Sequence, residues 1–286
     1  MKRISLIIFF IFGIFFQLFG QTDGLSIAQH KYINFSTYKN FYLEVTNWGN
    51  ASLQDIERLL NSVITDFYSN LDNNKINILP VFVINSTTRM QPINNPQLIK
   101  RDNNTLIYLA TGDMYWSQYS YQFSHELCHY IIDIDFPPKI DRFGWLEESI
   151  CELASLFTLY KMSITWQTNP PYSNWRSYSG LLKKYVDDII TSPEYRIAIP
   201  FSVWLNNNLS TLFVDRYMRK ENCIIAIHLL PLFTKNPELW KIIHYMNRVV
   251  VNNNMTLAQY LLEWKRHIPS NLYSNFDAMA SILIGN

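Results

Sequence analysis

The chain has 286 residues, is 48% hydrophobic and 15% aromatic, and carries a formal net charge of +1. That length and apolar content suit a folded core in one large domain or two lobes, and exclude a linker or a disordered chain. The near-zero charge gives no electrostatic reason to expect nucleic acid or an anionic membrane surface as a partner. At the start, Lys2 and Arg3 precede an apolar run from Ile4 to Phe16, and Gln17-Leu18-Phe19-Gly20 leads into Gln21. A charged start followed by a short apolar run reads as an export signal over residues 1–20, too short for a comfortable membrane span. Leu18 departs from the small residue preferred before a cleavage site, so a retained anchor stays open beside cleavage after Gly20. No cysteine follows the apolar run, which argues against a lipoprotein. The expectation is an exported protein, periplasmic or secreted, with no stable membrane insertion after signal removal.

The first expected strand is Phe41 to Thr46, where Phe41, Leu43 and Val45 share one face and Glu44 and Thr46 the other. An amphipathic helix follows from about Ser52 to Leu71, and Ile76 to Asn85 and Thr105 to Ala110 read as further strands. The last of these ends at Thr111-Gly112-Asp113, and a helix begins within the next few residues. That helix carries His125-Glu126-Leu127-Cys128-His129, an H-E-x-x-H pattern. Residues four apart share a helix face, so both imidazoles can reach one Zn²⁺ while Glu126 sits beside them. A catalytic zinc normally takes three protein ligands and keeps one position open, so a third ligand is required.

The candidate follows a break at Asp133-Ile134-Asp135-Phe136-Pro137-Pro138, where paired prolines cannot continue a helix. A second helix is expected from near Asp141 to about Ile164, with Leu146, Ile150, Leu153, Leu156 and Phe157 as its apolar stripe. Two helices joined so closely can pack antiparallel, bringing Glu148 over the histidines as the third ligand of a single zinc ion. Glu152, one turn later, is placed to accept the free N–H of a liganding imidazole, which fixes its tautomer.

His125-Glu126-x-x-His129 followed by Glu148 resembles the gluzincin metallopeptidases, especially the aminopeptidase branch with H-E-x-x-H-x18-E. Trp145-Leu146-Glu147-Glu148-Ser149 resembles that branch's W-L-N-E-G segment, with Glu147 and Ser149 as departures. The Glu148-x-x-x-Glu152 pair is similar to the E-x-x-x-D of thermolysin-like enzymes. The resemblance covers roughly residues 104–160; neither the aminopeptidases' G-x-M-E-N segment nor their large N-terminal domain is found. It implies zinc-dependent hydrolysis of a peptide or protein substrate, with His125, His129 and Glu148 as ligands and Glu126 as general base. The family also supplies an oxyanion donor from a later helix. Tyr217, in the polar turn opening an apolar helix, is the first candidate, and His228 the second, though His228 also reads as a core histidine. In the family the sheet edge above the zinc binds substrate as an added strand. Thr105 to Ala110, or the strand before it, could serve here, with an interior strand as the equal alternative.

Gln167-Thr168-Asn169-Pro170-Pro171 is a natural boundary. Beyond it Leu181–Ile190, Cys223–Leu230, Leu239–Val250 and Leu257–Trp264 allow helical spacing, Trp240 and Trp264 read as core, and the asparagine triplets at 206–208 and 252–254 as loop tips. The expected fold class is α+β: a zincin-like lobe with a small mixed sheet over residues 21–166, then a mainly helical lobe over residues 167–286. Cys128, Cys151 and Cys223 cannot form a disulfide framework; one bridge between Cys128 and Cys151 stays open beside three small buried hydrophobes. Two functions of different class remain: an exported zinc peptidase, and a zinc-stabilised binding or assembly protein of the cell envelope that does not cleave. A zinc hydrolase of some other amide, such as cell-wall peptide, would use the same site.

Overall fold

The computed structural model describes residue 27 and residues 30–71, 79–89, 92–101, 103–134 and 142–285. The expected export signal lies outside them, as do residues 76–78 of the second expected strand and the proline break at residues 135–138. Five short strands form one mixed sheet: β1 (Tyr32–Asn34), β2 (Phe41–Glu44), β3 (Val81–Asn85), β4 (Gln97–Arg101) and β5 (Asn104–Leu109), in the order β1-β2-β3-β5-β4. β2, β3 and β5 run parallel, while β1 and β4 are antiparallel to their neighbours. Parallel neighbours need a crossover, and helix α1 (Leu53–Tyr68) supplies it between β2 and β3. Ile56, Leu59, Leu60, Val63, Ile64 and Phe67 recur at helical spacing along α1 and are fully buried.

This topology decides between the edge and interior readings of the expected strands in favour of the interior one. β5 lies between β3 and β4, and β3 between β2 and β5, so neither expected edge strand is one. The two end positions belong to β1 and β4; sequence periodicity passed over β4 because Gln97, Lys100 and Arg101 leave only Leu98 and Ile99 as an apolar signal.

Helix α2 (Trp116–Ile132) and helix α3 (Gly144–Thr165) pack against each other and against α1. Their contacts fix the direction. His129 meets Glu147, Cys128 meets the carbonyl of Ile150, His125 meets Glu152, and the carbonyl of Tyr121 accepts from Ser155. Each step forward on α3 is a step backward on α2, so the pair is antiparallel.

The chain after residue 167 is helical: α4 (Ser179–Ile190), α5 (Phe201–Leu212), α6 (Arg219–Lys235), α7 (Leu257–His267) and α8 (Tyr273–Ile284), with a 3₁₀ segment at Pro237–Arg248. Three expectations change here. The asparagine triplet at 206–208 sits inside α5 rather than at a loop tip; buried Leu205 and Leu212 hold that helix, which packs on α8. α6 runs on through Pro231, since Leu229, Leu230 and Phe233 keep both sides of the proline on the core. Pro237–Arg248 is 3₁₀ rather than α-helical; Trp240, Ile243 and Met246 recur every three residues, and a three-residue turn aligns all of them inward.

One cluster of buried apolar side chains runs from Phe35 to Leu283. Trp240 and Trp264 are both fully buried within it, as expected. Trp240 is a junction, its ring lying 5.1 Å from Phe67 of α1, 5.1 Å from Phe157 of α3 and 4.8 Å from Phe233 of α6. Among the described residues, no helix is long and apolar enough to cross a membrane. Trp240→Ala is expected to cost about 3–5 kcal/mol, the range for emptying a large buried aromatic site. Urea unfolding measures it, and a loss below about 1 kcal/mol would show that the three helices do not depend on this ring.

Candidate metal centre

His125 and His129 project from one face of α2, one helical turn apart, with ring centroids 5.1 Å from each other. Glu148 comes from the second turn of α3. Its Oε2 lies 3.4 Å from Nε2 of His125 and 3.4 Å from Nε2 of His129. The three side chains form a group whose ligand atoms all lie within 4.8 Å of one another, and which can hold a metal ion. The spacing is informative. Ligands at ~2.1 Å from a tetrahedral ion are separated by ~3.4 Å along each edge. Both carboxylate-to-imidazole edges already have that length.

The Nδ1 atoms, facing away from this point, are each backed by a carboxylate. Glu152 Oε2 lies 3.5 Å from Nδ1 of His125, and its other oxygen accepts from the hydroxyl of Tyr121. Glu147 Oε1 lies 2.6 Å from Nδ1 of His129. A carboxylate on Nδ1 keeps the proton there and leaves Nε2 free for a metal. Glu152 was expected in this place; Glu147 was not. Its only signal in sequence was its departure from the asparagine of the W-L-N-E-G segment. Arg216 was also missed: its Nε and Nη2 both lie 3.1 Å from Oε1 of Glu148, and Nη2 is 3.6 Å from Glu147. No local pattern connects residue 216 to residue 148.

Electrostatics follow from burial and pairing. Burial alone would lower the pKa of His125, but hydrogen bonds to Glu148 and Glu152 outweigh it and carry the metal-free value up to about 9. Burial also acts against protonation of His129, and the charge of Glu148 with the bonds to Glu147 and Glu148 raises it well above the ordinary value. Burial opposes ionisation of Glu148 too, and the two imidazoles overcome it, holding Glu148 well below the usual carboxylate range. Glu126 is different. It is buried, ligates nothing, and burial lifts its pKa above the ordinary value despite the neighbouring histidines and a hydrogen bond from the backbone N–H of Leu98 on β4.

The two oxyanion candidates separate. Tyr217 is on the loop just before α6, beside Arg216, whose guanidinium is 5.6 Å from its ring. Partial burial of its hydroxyl raises the pKa, Arg216 opposes this, and Glu148 adds to it. The ring is otherwise exposed at the rim of the centre. His228 instead donates from Nδ1 to the carbonyl of Ile224 at 2.8 Å and stacks on Phe201 at 4.3 Å, the environment of a packing histidine. Cys128, Cys151 and Cys223 are buried free thiols, and none belongs to the metal group.

Compared with known proteins, the chain matches no family model, no curated protein and no solved structure.

The raised pKa of His125 sets a sign for stability. Protonation of His125 favours the metal-free fold fully below pH ~6.5, the unfolded value, and that contribution is lost as the pH rises through about 9. The difference corresponds to ~3 kcal/mol. The metal-free protein is therefore expected to lose melting temperature across that interval. Stabilisation by an added divalent metal should grow over the same range, because the ion must displace the protons. Thermal unfolding with and without chelator measures both; a metal-free melting temperature that rises with pH here would contradict the assignment.

Proposed function

We propose that this chain is an exported zinc-dependent peptidase of the gluzincin type, with His125, His129 and Glu148 as ligands and Glu126 as general base. The observation that carries the reading is the position of Glu126. A buried carboxylate outside the three-ligand group stands within reach of the charges of His125, His129 and Glu148, and both carboxylate-to-imidazole edges of that group have the tetrahedral length. A purely structural zinc is normally enclosed by four protein ligands. Two imidazoles and one carboxylate suit zinc far better than calcium or magnesium, which prefer oxygen donors throughout.

When bound, zinc supplies a Lewis acid for the scissile carbonyl and acidifies the water next to it. The protein's own groups do the rest. Glu126 takes the proton of the attacking water and returns it to the departing amine. Glu147 and Glu152 hold the two imidazoles with Nε2 forward. Tyr217, at the rim, donates its hydroxyl hydrogen to the developing oxyanion. β4 stands at the end of the sheet, and the bond from Leu98 to Glu126 puts that strand beside the centre. This supports a peptide substrate added alongside β4 as an extended strand.

The test is incubation of the zinc-loaded protein with a proteome-derived peptide library, with cut sites read by mass spectrometry. Cleavage is expected from the wild type and not from Glu126→Ala, with one zinc retained in both. A wild type that holds zinc and cuts nothing would move the reading to a non-cleaving envelope binder. Tyr217→Phe is expected to lower kcat by ~10²- to 10³-fold, the usual cost of one oxyanion donor, with zinc content unchanged. An unaltered kcat would remove Tyr217 from the mechanism.

A further inference from the structure

Arg216 is the one guanidinium in hydrogen-bonding contact with a metal-group carboxylate among the described residues, and the surrounding structure is built to hold it there. Its backbone carbonyl accepts at 2.8 Å from the side-chain amide of Asn222, whose oxygen in turn accepts from the hydroxyl of Ser149 at 3.1 Å. Phe213, three residues earlier, packs edge-on against Phe143 at 5.4 Å and against Trp145 at 6.4 Å. The loop is thus fastened to the first turns of α3 on both sides of Arg216. Gly144 leaves the guanidinium its place: a Cβ at that position would lie 3.0 Å from Cζ and Nη1 of Arg216. The two departures from the W-L-N-E-G segment both serve this arrangement. Glu147 accepts from His129 and faces Arg216, and Ser149 anchors Asn222.

We propose that Arg216 is a positioning residue that holds Oε1 of Glu148 away from the metal, so that Glu148 ligates through Oε2 alone. This inference rests on the metal reading of the site given above. A carboxylate beside a zinc-like ion can bind through one oxygen or both, and a second oxygen would take the position that a reacting water or carbonyl needs. Two N–H groups on Oε1 remove that choice, since the guanidinium fork is rigid and permanently charged. The same fork spans Glu147, which orients His129. One side chain therefore sets the denticity of one ligand and steadies the partner of another. A lysine cannot reach both carboxylates with a planar pair of donors.

The experiment loads the full chain with Co²⁺, whose visible absorption reports coordination number, and measures affinity by chelator competition. Wild type, Arg216→Ala and Arg216→Lys are compared, with circular dichroism of the metal-free proteins as the check on folding. The wild type is expected to bind one Co²⁺ with the intense absorption of a four-coordinate ion. Both variants are expected to show weaker, shifted bands of a higher-coordinate ion and an affinity lower by about 10- to 100-fold. Should Arg216→Ala fail to fold, Arg216→Lys carries the comparison alone. Folded variants with the wild-type spectrum and a Kd within twofold of it would overturn the clamp while leaving the metal site standing. A wild type that binds no Co²⁺ would overturn the metal reading and the clamp together.

Discussion

The burial of opposite charges between α2 and α3 is the constraint around which this protein is organised. Glu126, Glu147 and Glu152 are buried, and Glu148 nearly so, beside two imidazoles in the same interface. An isolated carboxylate taken out of water costs several kcal/mol, and only close pairing offsets it. The antiparallel register supplies that pairing: His129 lies between Glu147 and Glu148, and His125 between Glu148 and Glu152. A slip of one residue along either helix would break all four contacts. Breaking a buried pair typically costs 3–5 kcal/mol, so register and charge pairing enforce each other.

The rest of the molecule keeps that interface in place. α1 packs behind both helices, the C-terminal segment reaches α3 through Trp240, and Asn247 bonds Asp133 at the end of α2 at 2.8 Å. Asp133 also meets Lys100 of β4, whose Nζ donates to its backbone carbonyl at 2.6 Å. The end strand is therefore tied to α2 at two points, through Lys100 and through the bond from Leu98 to Glu126.

Charge is distributed unevenly around the metal group. The side of His129 has Glu147 and Arg216, while the side of His125 has Glu152 and Tyr121, with the positive charge of Arg219 acting on Glu152 from a greater distance. Arg216 offsets part of the negative charge that Glu147 and Glu148 concentrate at this point. Without it, Glu147 and Glu148, adjacent in sequence and both turned toward His129, would repel each other at close range.

What the sequence by itself determined was local. The i, i+4 histidines and the apolar stripe of α3 are consequences of helical periodicity, which depends only on near neighbours along the chain. So was the fully buried face of α1. Tertiary structure decided everything that depends on which distant segments meet. It made β4 rather than β5 the end strand, because strand order follows from how connections cross a sheet and not from the pattern within any strand. It carried α5 through an asparagine triplet and α6 through Pro231, because burial of leucine and phenylalanine outweighs local propensity. And it brought Arg216 to Glu148 across 68 residues of chain, since no rule of spacing encodes a contact made only when α6 and the loop before it dock on α3.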